Sequence, residues 1–414
     1  MKKIEKYFYS KRLISICTSN FKVLESVFRY FKEKDTYFLI ESTSNQVNQF
    51  GGYTGLKPKD FVYKINNLSQ KFSFNKFFIG LDHGGTYPWR NLEISSAMQN
   101  AKTLIKESVE SGYRKIHLDA SYPLRGELSL SIEEIVKREV ELLIIAEETA
   151  QNYNMNPIYV IGTDVPRPGG NISEKPKVTP NSEIYEMIDA FKKELSKNSL
   201  DKVWDRIVAI VVNLGIEFGD ENIYEYSSEE TKELITVLDS NKDLVFEAHS
   251  TDYQPLKSLK EMAKNGVGIF KVGPALTFAY RSALFSLAHI EKILFKNSTS
   301  NFIETLFSLL KEDNRFYKEY YGENIDINKV VFSFLDRWRY YYENEKIQNS
   351  LKMMFKNFED KNIPLPLIYE YFPDQFEKVQ EKFLKPIMED LIFGRIQDVL
   401  DKYYKSLYEE VNLL

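Results

Sequence analysis

The 414-residue chain has four histidines, and three of them stand one or two positions from a carboxylate at the end of a short apolar run. They occur as Asp82-His83, His117-x-Asp119 and Glu247-x-His249, the last inside "FEAHSTDYQ". Residues two apart on a strand share a face. Two or three imidazoles with carboxylates, and no cysteine among them, suit a divalent ion such as Zn, Mn or Co. Such an ion polarises a carbonyl or stabilises an enediolate while a carboxylate or an amine moves protons. The ligands expected from this pattern are His83, Glu247 and His249. Asp82, Glu217, Asp252 and Lys271 are the proton carriers, with a Schiff base on a desolvated Lys271 as the alternative. No standard linear metal motif is present. A single histidine at a strand end is more often a hydrogen-bonded structural residue, and Asp or Glu there often caps the next helix. The fourth histidine, His289, lies in the helical pattern "RSALFSLAHIEKI" and reads as structural.

What would bring these groups together is an alternation of short β-branched runs with longer amphipathic stretches. Eight candidate strands can be read: 13–18, 37–41, 77–82, 115–119, 158–162, 207–213, 244–248 and 268–272. Between them, "SSAMQNAKTLIKESVESG" has a serine N-cap signal, and "SIEEIVKREVELLIIAEETAQNY" opens on a capping box, Ser131 to Glu134. Eight strand–helix units within residues 10–290 predict a (β/α)8 TIM barrel, an α/β fold that needs about 250 residues. An open doubly wound sheet is the other candidate, but no glycine-rich fingerprint follows the first strand. In a barrel, the C-terminal strand ends face one pocket, and the polar residues collect at those ends. From about residue 295 the strand signal stops. The reading is therefore a barrel over 1–295 and a helical C-terminal extension over 296–414, docked by its apolar faces. "NIPLPLIYEYFPDQ" is expected to be an ordered, proline-punctuated loop.

Composition narrows the function classes. A net charge of −5 with interspersed signs gives no polyanion footprint, so nucleic acid is not an expected partner. A single cysteine, Cys17, excludes an intramolecular disulfide and a multi-cysteine zinc site. The apolar run near the N-terminus is too short for a signal peptide or a membrane span, so a cytoplasmic protein without membrane contact is expected. "GGYTG" and "PGG" could cradle phosphate, though glycine turns are usually only turns. "LDRWRYYY" places Arg337 and Arg339 among aromatics. It reads either as a helix face or as an anion clamp, since Arg forks match phosphate oxygens.

Several long strings carry a resemblance: "IESTSNQVNQFGGYTG", "KIHLDAS", "YVIGTDVPRPGG", "GIEFGD", "FEAHSTDYQ", "KVGPALTFAYR", "DRWRYYY" and "IPLPLIYEYFPDQ". Together they are similar to the class II D-tagatose-1,6-bisphosphate aldolase non-catalytic subunit family, the GatZ/KbaZ-like group once labelled tagatose-6-phosphate kinase. The resemblance implies a (β/α)8 barrel that handles ketohexose phosphates. It also implies a possible class II aldolase partner subunit, with homo-oligomer formation open. Related barrels include metal-dependent sugar 4-epimerases, and the Asp82-His83 pair is similar to the Asp-His of class II aldolases. Where this chain reads "LDHGGTYPW" and "VVNLG" it departs from the family's usual strings, which points to Thr86 and Asn213 in an altered pocket. Substrate contacts are thus expected from Glu41, Asn45, Gln46, Thr86, His117, Asp119, Asp164, Asn213, Arg337 and Arg339. The alternative function is that of a non-catalytic stabilising subunit.

Overall fold

The computed structural model describes residues 12–162, 175–322 and 325–409. Its strands are β1 (Leu13–Ile16), β2 (Phe38–Thr43), β3 (Phe77–Gly85), β4 (Lys115–Asp119), β5 (Ile158–Ile161), β6 (Ile207–Val211), β7 (Glu217–Phe218), β8 (Ile223–Tyr224), β9 (Val245–Ala248) and β10 (Val267–Val272). Eight of them close a parallel barrel in the order β1-β10-β9-β6-β5-β4-β3-β2, with β2 pairing back to β1. All eight predicted strands are present. The β7–β8 hairpin was not foreseen, because its two-residue strands have no apolar alternation to read.

Helices lie between successive barrel strands: α1 (Phe21–Lys34), α2 (Pro58–Phe72), α3 (Ile94–Glu110), α4 (Ile132–Asn152), α5 (Asn181–Lys197), α6 (Ser228–Ile235), α7 (Val237–Ser240) and α8 (Leu256–Lys264). After β10 comes α9 (Pro274–Phe295). Local signals explain their starts. The Asn20 side chain accepts from the Lys22 and Val23 N–H groups at 3.0 and 3.2 Å, satisfying two orphan donors of α1. The Ser131–Glu134 box opens α4 in both directions. For α3 the expected serine cap is corrected: Glu93 holds the N-cap position without a side-chain bond, and Ser95 and Ser96 sit inside the first turn.

Inward-facing residues form two layers. Leu13, Leu39, Phe78, Ile158, Val160, Ala209, Val211 and Ile269 pack a dry plug at the N-terminal end of the barrel. Above it, inward positions turn charged on four strands: Glu41 on β2, Lys115 on β4, Glu247 on β9 and Lys271 on β10. The outward positions pack against the helices in one continuous core.

Beyond Phe295 the described residues form helices α10 (Phe302–Glu312), α11 (Lys318–Tyr321), α12 (Ile327–Phe332), α13 (Glu345–Phe358), α14 (Leu365–Tyr371), α15 (Pro373–Gln380) and α16 (Met388–Leu407). The stretch expected to be a loop is therefore two helices. Its prolines sit in first turns, where a missing N–H costs nothing. The last helix, α16, returns to the barrel and packs on α1, α8 and α9. Arg29 pairs with Asp390 at 2.7 Å and lies 3.9 Å over the Phe393 ring.

Candidate active site

The charged upper layer of the barrel is built around Lys115, the first residue of β4. Its Nζ lies 2.6 Å from Glu41 Oε1 and 2.5 Å from Glu247 Oε2, with all three side chains fully buried. Ser15 Oγ donates to the other Glu41 oxygen. Room for this cluster depends on Gly80, where a Cβ would stand 2.8 Å from Glu41 Oε1 and 3.2 Å from the Lys115 stem. One level higher, Lys271 Nζ reaches Glu41 Oε2 at 3.2 Å, Glu247 Oε1 at 3.1 Å and Asp82 Oδ1. The angles make these ion pairs rather than directed hydrogen bonds.

Asp82 and His83 are neighbours, yet both serve the site. Strict alternation would send one of them outward. The β3–β4 register shifts between Leu81 and Gly84, and His83 has φ of 47°. This bulge re-aims the imidazole. His83 Nδ1 then lies 2.7 Å from Asp119 Oδ2, and its ring centroid is 5.0 Å from that of His249. Ser250 and Tyr253 also hold positive φ, 55° and 63°, so the segment after β9 is a second place where strain is kept beside the chemistry.

Ionisation follows from burial and neighbours. Burial would lower the His83 pKa, but Asp82 and Asp119 raise it above the ordinary value, favouring imidazolium. His117 is lowered by burial. His249 is pushed down to about 3, by burial and then by Lys271, and is neutral. Burial would deprotonate Lys271, but Asp82, Glu247 and Glu41 hold its pKa well above the ordinary value. A lysine held as ammonium is not a nucleophile, which counts against the Schiff-base alternative. Glu41, Asp82 and Glu247 thus crowd around the Lys115 and Lys271 amines, and Asp119 around His83; a buried cluster of this kind is tolerated only when its charges are paired.

The donor set tells where a cation would sit. One ligand atom each from Asp82, His117, Glu247 and His249 lies within 4.8 Å of all the others. Donors about 2.1 Å from one ion stand at most about 4.2 Å apart, so the group must close by a few tenths of an ångström. His117 Nδ1 is 3.0 Å from Asp82 Oδ1, while its buried Nε2 has no hydrogen-bond partner among the described residues. Nδ1 also accepts from the His83 N–H at 3.2 Å; only in the tautomer that gives up this bond and donates from Nδ1 to the carboxylate does Nε2 present a lone pair. Neutral His249, 3.1 Å from Glu247 through Nε2, likewise keeps one nitrogen to offer. These residues fit a divalent ion with N and O ligands. An ion there would compete with Lys271 for Asp82 and Glu247.

Above this cluster opens a cleft of about 310 Å³, walled by Asp82, His83, His249, Asp252, Lys271 and, from the C-terminal helices, Arg339. Asn45, Gln46 and Tyr53 from the loop after β2 also line it. Asp252 Oδ1 accepts from the Gly273 and Ala275 N–H groups at 3.0 and 2.7 Å, at the start of α9. Burial pushes its pKa up to about 6. Glu217, also raised by burial, to about 7, lies in the β7–β8 hairpin behind the cleft lining, where it accepts from the Phe218 N–H.

Several expected contacts have other work. His83 is bound to Asp119 and stands outside the four-ligand group, in which His117 and Asp82 take part. Glu41 and His117 are fully buried below the cleft, and Asp119 orients His83 rather than lining it. Thr86 is fully buried in the turn after β3. Asn213 bonds the Gly215 N–H at 3.1 Å and forms a turn with Thr179. Asp164, with the "PGG" motif, lies outside the described residues. The two arginines separate: Arg339 reaches the cleft, while Arg337 is buried, stacked 3.4 Å from the Tyr320 ring centroid. They belong to a 3-10 turn, whose 120° per residue sends positions two apart to different sides. Tyr53 and the three glycines of "GGYTG" form an ordinary turn. At Gly52 a Cβ would meet the Gln46 carbonyl at 2.3 Å, which explains that glycine. Sequence reading missed Lys115, whose place at a strand start reads as a solvated edge. It also missed Arg90 and Arg315, which lie on segments that no periodicity ties to the mouth.

A family model described as D-tagatose-1,6-bisphosphate aldolase subunit GatZ/KbaZ-like matches residues 3–408. Among solved structures the chain is similar to a probable tagatose 6 phosphate kinase from Sinorhizobium meliloti, at 30% identity and a TM-score of 0.88. That likeness covers 96% of this chain and 100% of that one. It is similar, far more distantly, to a fructose-bisphosphate aldolase from Campylobacter jejuni, at 14% identity and a TM-score of 0.46 over 86% of this chain and 91% of that one. The second likeness is too remote to carry an argument.

Proposed function

The chain belongs to the D-tagatose-1,6-bisphosphate aldolase subunit family of GatZ/KbaZ-like proteins, and from that premise we propose that it acts on a ketohexose, or its phosphate, of the fructose and tagatose type by metal-dependent retro-aldol chemistry. The outcome is 4-epimerisation or aldol cleavage. The observation that carries this reading is the buried Asp82, His117, Glu247 and His249 group at the floor of a cleft whose wall holds Asp252 and Lys271. A supporting scaffold needs no such concentration of desolvated charge.

When bound, a divalent ion would polarise the C2 carbonyl and stabilise the enediolate. The chain's own groups do the rest. Asp252, with a pKa near 6, takes the proton of the C4 hydroxyl as the C3–C4 bond breaks. The electron pair of that bond passes to the C2 oxygen, beside the Lys271 ammonium, and C4 becomes an aldehyde. Re-addition to the other face of the aldehyde, with the proton returned to oxygen, inverts C4. Protonation at C3 and release gives cleavage instead. His83, held by Asp119, adds a second positive donor at the cleft.

A second reading comes from the family description, which names a subunit: the chain would then support a separate class II aldolase. The two separate on one experiment. Purified protein is incubated with fructose 6-phosphate and tagatose 6-phosphate, with and without divalent ions, and followed by NMR. Interconversion or triose formation that His249→Ala abolishes supports the enzyme. A chain inert alone that raises the activity of a partner aldolase, equally well as His249→Ala, overturns it.

A further inference from the structure

The cleft is electrically polar along its depth, and this decides which phosphorylated ketose it can hold. In barrels of this type a phosphate commonly rests on backbone N–H groups after the last strands, at a helix N-terminus. Here that seat is filled by the protein itself. Asp252 accepts from both the Gly273 and Ala275 N–H groups, so an arriving anion meets a carboxylate. The floor presents the carboxyl oxygens of Asp82 and Glu247, already engaged by Lys271.

The opposite wall is basic. Arg90, from the turn after β3, and Arg315 and Arg339, from the C-terminal helical region, all line the cleft. Arg339 has no carboxylate within ion-pair distance among the described residues. Its guanidinium donates to the Leu335 and Asp336 carbonyls and to Tyr340 Oη at 3.0 Å. Arg90 pairs at 2.9 Å with Glu319, whose side chain is 55% exposed. Such a solvated partner is easily exchanged for a phosphate. Arg315 is held by Asp313 at 2.7 Å on the rim. Behind this wall, Arg337 has no hydrogen-bond partner on any guanidinium nitrogen among the described residues, and its charge stacks on Tyr320, another wall residue.

We propose that Arg90, Arg315 and Arg339 form the one phosphate seat that the described residues give the cleft, and that the chain therefore selects a ketose 6-phosphate monoester over a 1,6-bisphosphate. The proposal rests on the ketose reading above and deepens it. The sugar enters with its carbonyl end toward Lys271 and His249 and its distal phosphate against the guanidinium groups. A second phosphate on C1 would lie against the carboxyl groups of Asp82 and Glu247, with Asp252 already holding the Gly273 and Ala275 N–H groups.

Calorimetric binding tests this without turnover, so its failure is distinguishable from failure of the catalytic reading. The probes are inorganic phosphate, fructose 6-phosphate and fructose 1,6-bisphosphate, titrated into the full chain and into Arg90→Gln, Arg315→Gln and Arg339→Gln. The expected result is monoester affinity equal to or tighter than that of the bisphosphate, weakened about 10- to 100-fold by Arg339→Gln. The two rim variants give smaller losses and, lying on exposed or half-exposed side chains, keep the test sound if Arg339→Gln misfolds. Bisphosphate binding tenfold or more tighter than the monoester, or monoester binding indifferent to all three arginines, overturns the proposal.

Discussion

Replacing Lys115 by Met keeps most of the side-chain volume and removes the ammonium at the centre of the buried charges. Each of its contacts, at 2.6 and 2.5 Å, is worth ~6 kcal/mol at an effective dielectric constant of about 20, before desolvation is subtracted. The variant does not lose that much, because Glu247 has a cheaper escape in taking up a proton. Burial would raise the Glu247 pKa; Lys115, then Lys271, holds it well below the ordinary range instead. Without Lys115 burial gains the upper hand. Neutralising a carboxyl of ordinary pKa about 4.3 at pH 7 costs roughly 3.7 kcal/mol, close to the about 3–5 kcal/mol typical of breaking a buried pair. The expected loss at pH 7 is therefore about 4 kcal/mol, or about 4–5 °C in Tm for one cooperative unit of this length.

The pH dependence has a definite sign. In the variant the folded pKa of Glu247 exceeds the unfolded one, so the folded state binds the extra proton and stability falls as pH rises from about 4.3 toward the folded value. The deficit should shrink to about 1 kcal/mol at pH 5 and grow toward neutrality. Urea and thermal unfolding, followed by tryptophan fluorescence in the presence of a chelator, read it directly. Lys115→Met/Glu247→Gln should recover most of the loss. A deficit that is flat between pH 5 and 7.5, or a double variant no better than the single, would refute the idea of one balanced charge unit.

His249→Ala should fold with a near-wild-type midpoint and lose activity on ketose phosphates by about 10²–10⁴-fold or more; a large fall in Tm with turnover retained would return His249 to structure. Chelation should abolish turnover and added Zn, Mn or Co restore it, and His117→Ala should weaken the metal stoichiometry measured by mass spectrometry; an unchanged stoichiometry removes His117 from the ligand set. Asp252→Asn keeps an acceptor for Gly273 and Ala275 while removing a carboxylate whose pKa is raised to about 6. A raised carboxyl pKa costs stability above its unfolded value, about 3 kcal/mol by neutral pH, so the variant should gain on wild type between pH 4 and 6 and stay ahead above; a difference independent of pH contradicts the shift. The same variant should lose the ionisation near 6 from any pH–rate profile.

Much of the fold was legible, for a physical reason. Barrel strands buried on both faces read as short apolar runs, and the eight runs were all there, while α10, α13 and α16 showed plain helical spacing. The convergence of His83, His117, Glu247, His249 and Lys271 was legible too, since barrel geometry sends strand C-termini to one mouth. What escaped were effects that depend on three dimensions. The bulge at His83 cannot be read from alternation, because it breaks alternation. Lys115 looks like an edge lysine until β4 is seen to tilt it into the interior. Arg337 and Arg339 read as a pair, on a helix face or in an anion clamp, whereas the tighter turn parts them. No α/β barrel holds separate evidence of where a later segment will touch its mouth, so Arg315 had no signal, while Arg90, in the turn after β3, had only the strand-end rule to point to it. Among the described residues no helix is long and apolar enough to cross a membrane.

The contact between α16 and the segment after β9 also orders events during synthesis. Tyr403 Oη bonds the Thr251 carbonyl at 2.8 Å and lies 3.0 Å from its hydroxyl, and Tyr408 Oη bonds the Arg12 carbonyl at 2.6 Å. These pairs span 152 and 396 residues of chain. Closing such long loops is slow, and barrel strands emerge from the ribosome well before α16 does. The turn that carries Ser250 and Tyr253 at positive φ thus waits, unsupported, for a helix whose Tyr403 follows Thr251 by 152 residues. A nascent barrel can bury its plug early, but the mouth is latched only once translation has reached α16. Truncation there should uncover both Thr251 and the α1 side of the barrel, where Arg29 and Arg12 lose their partners Asp390 and Tyr408.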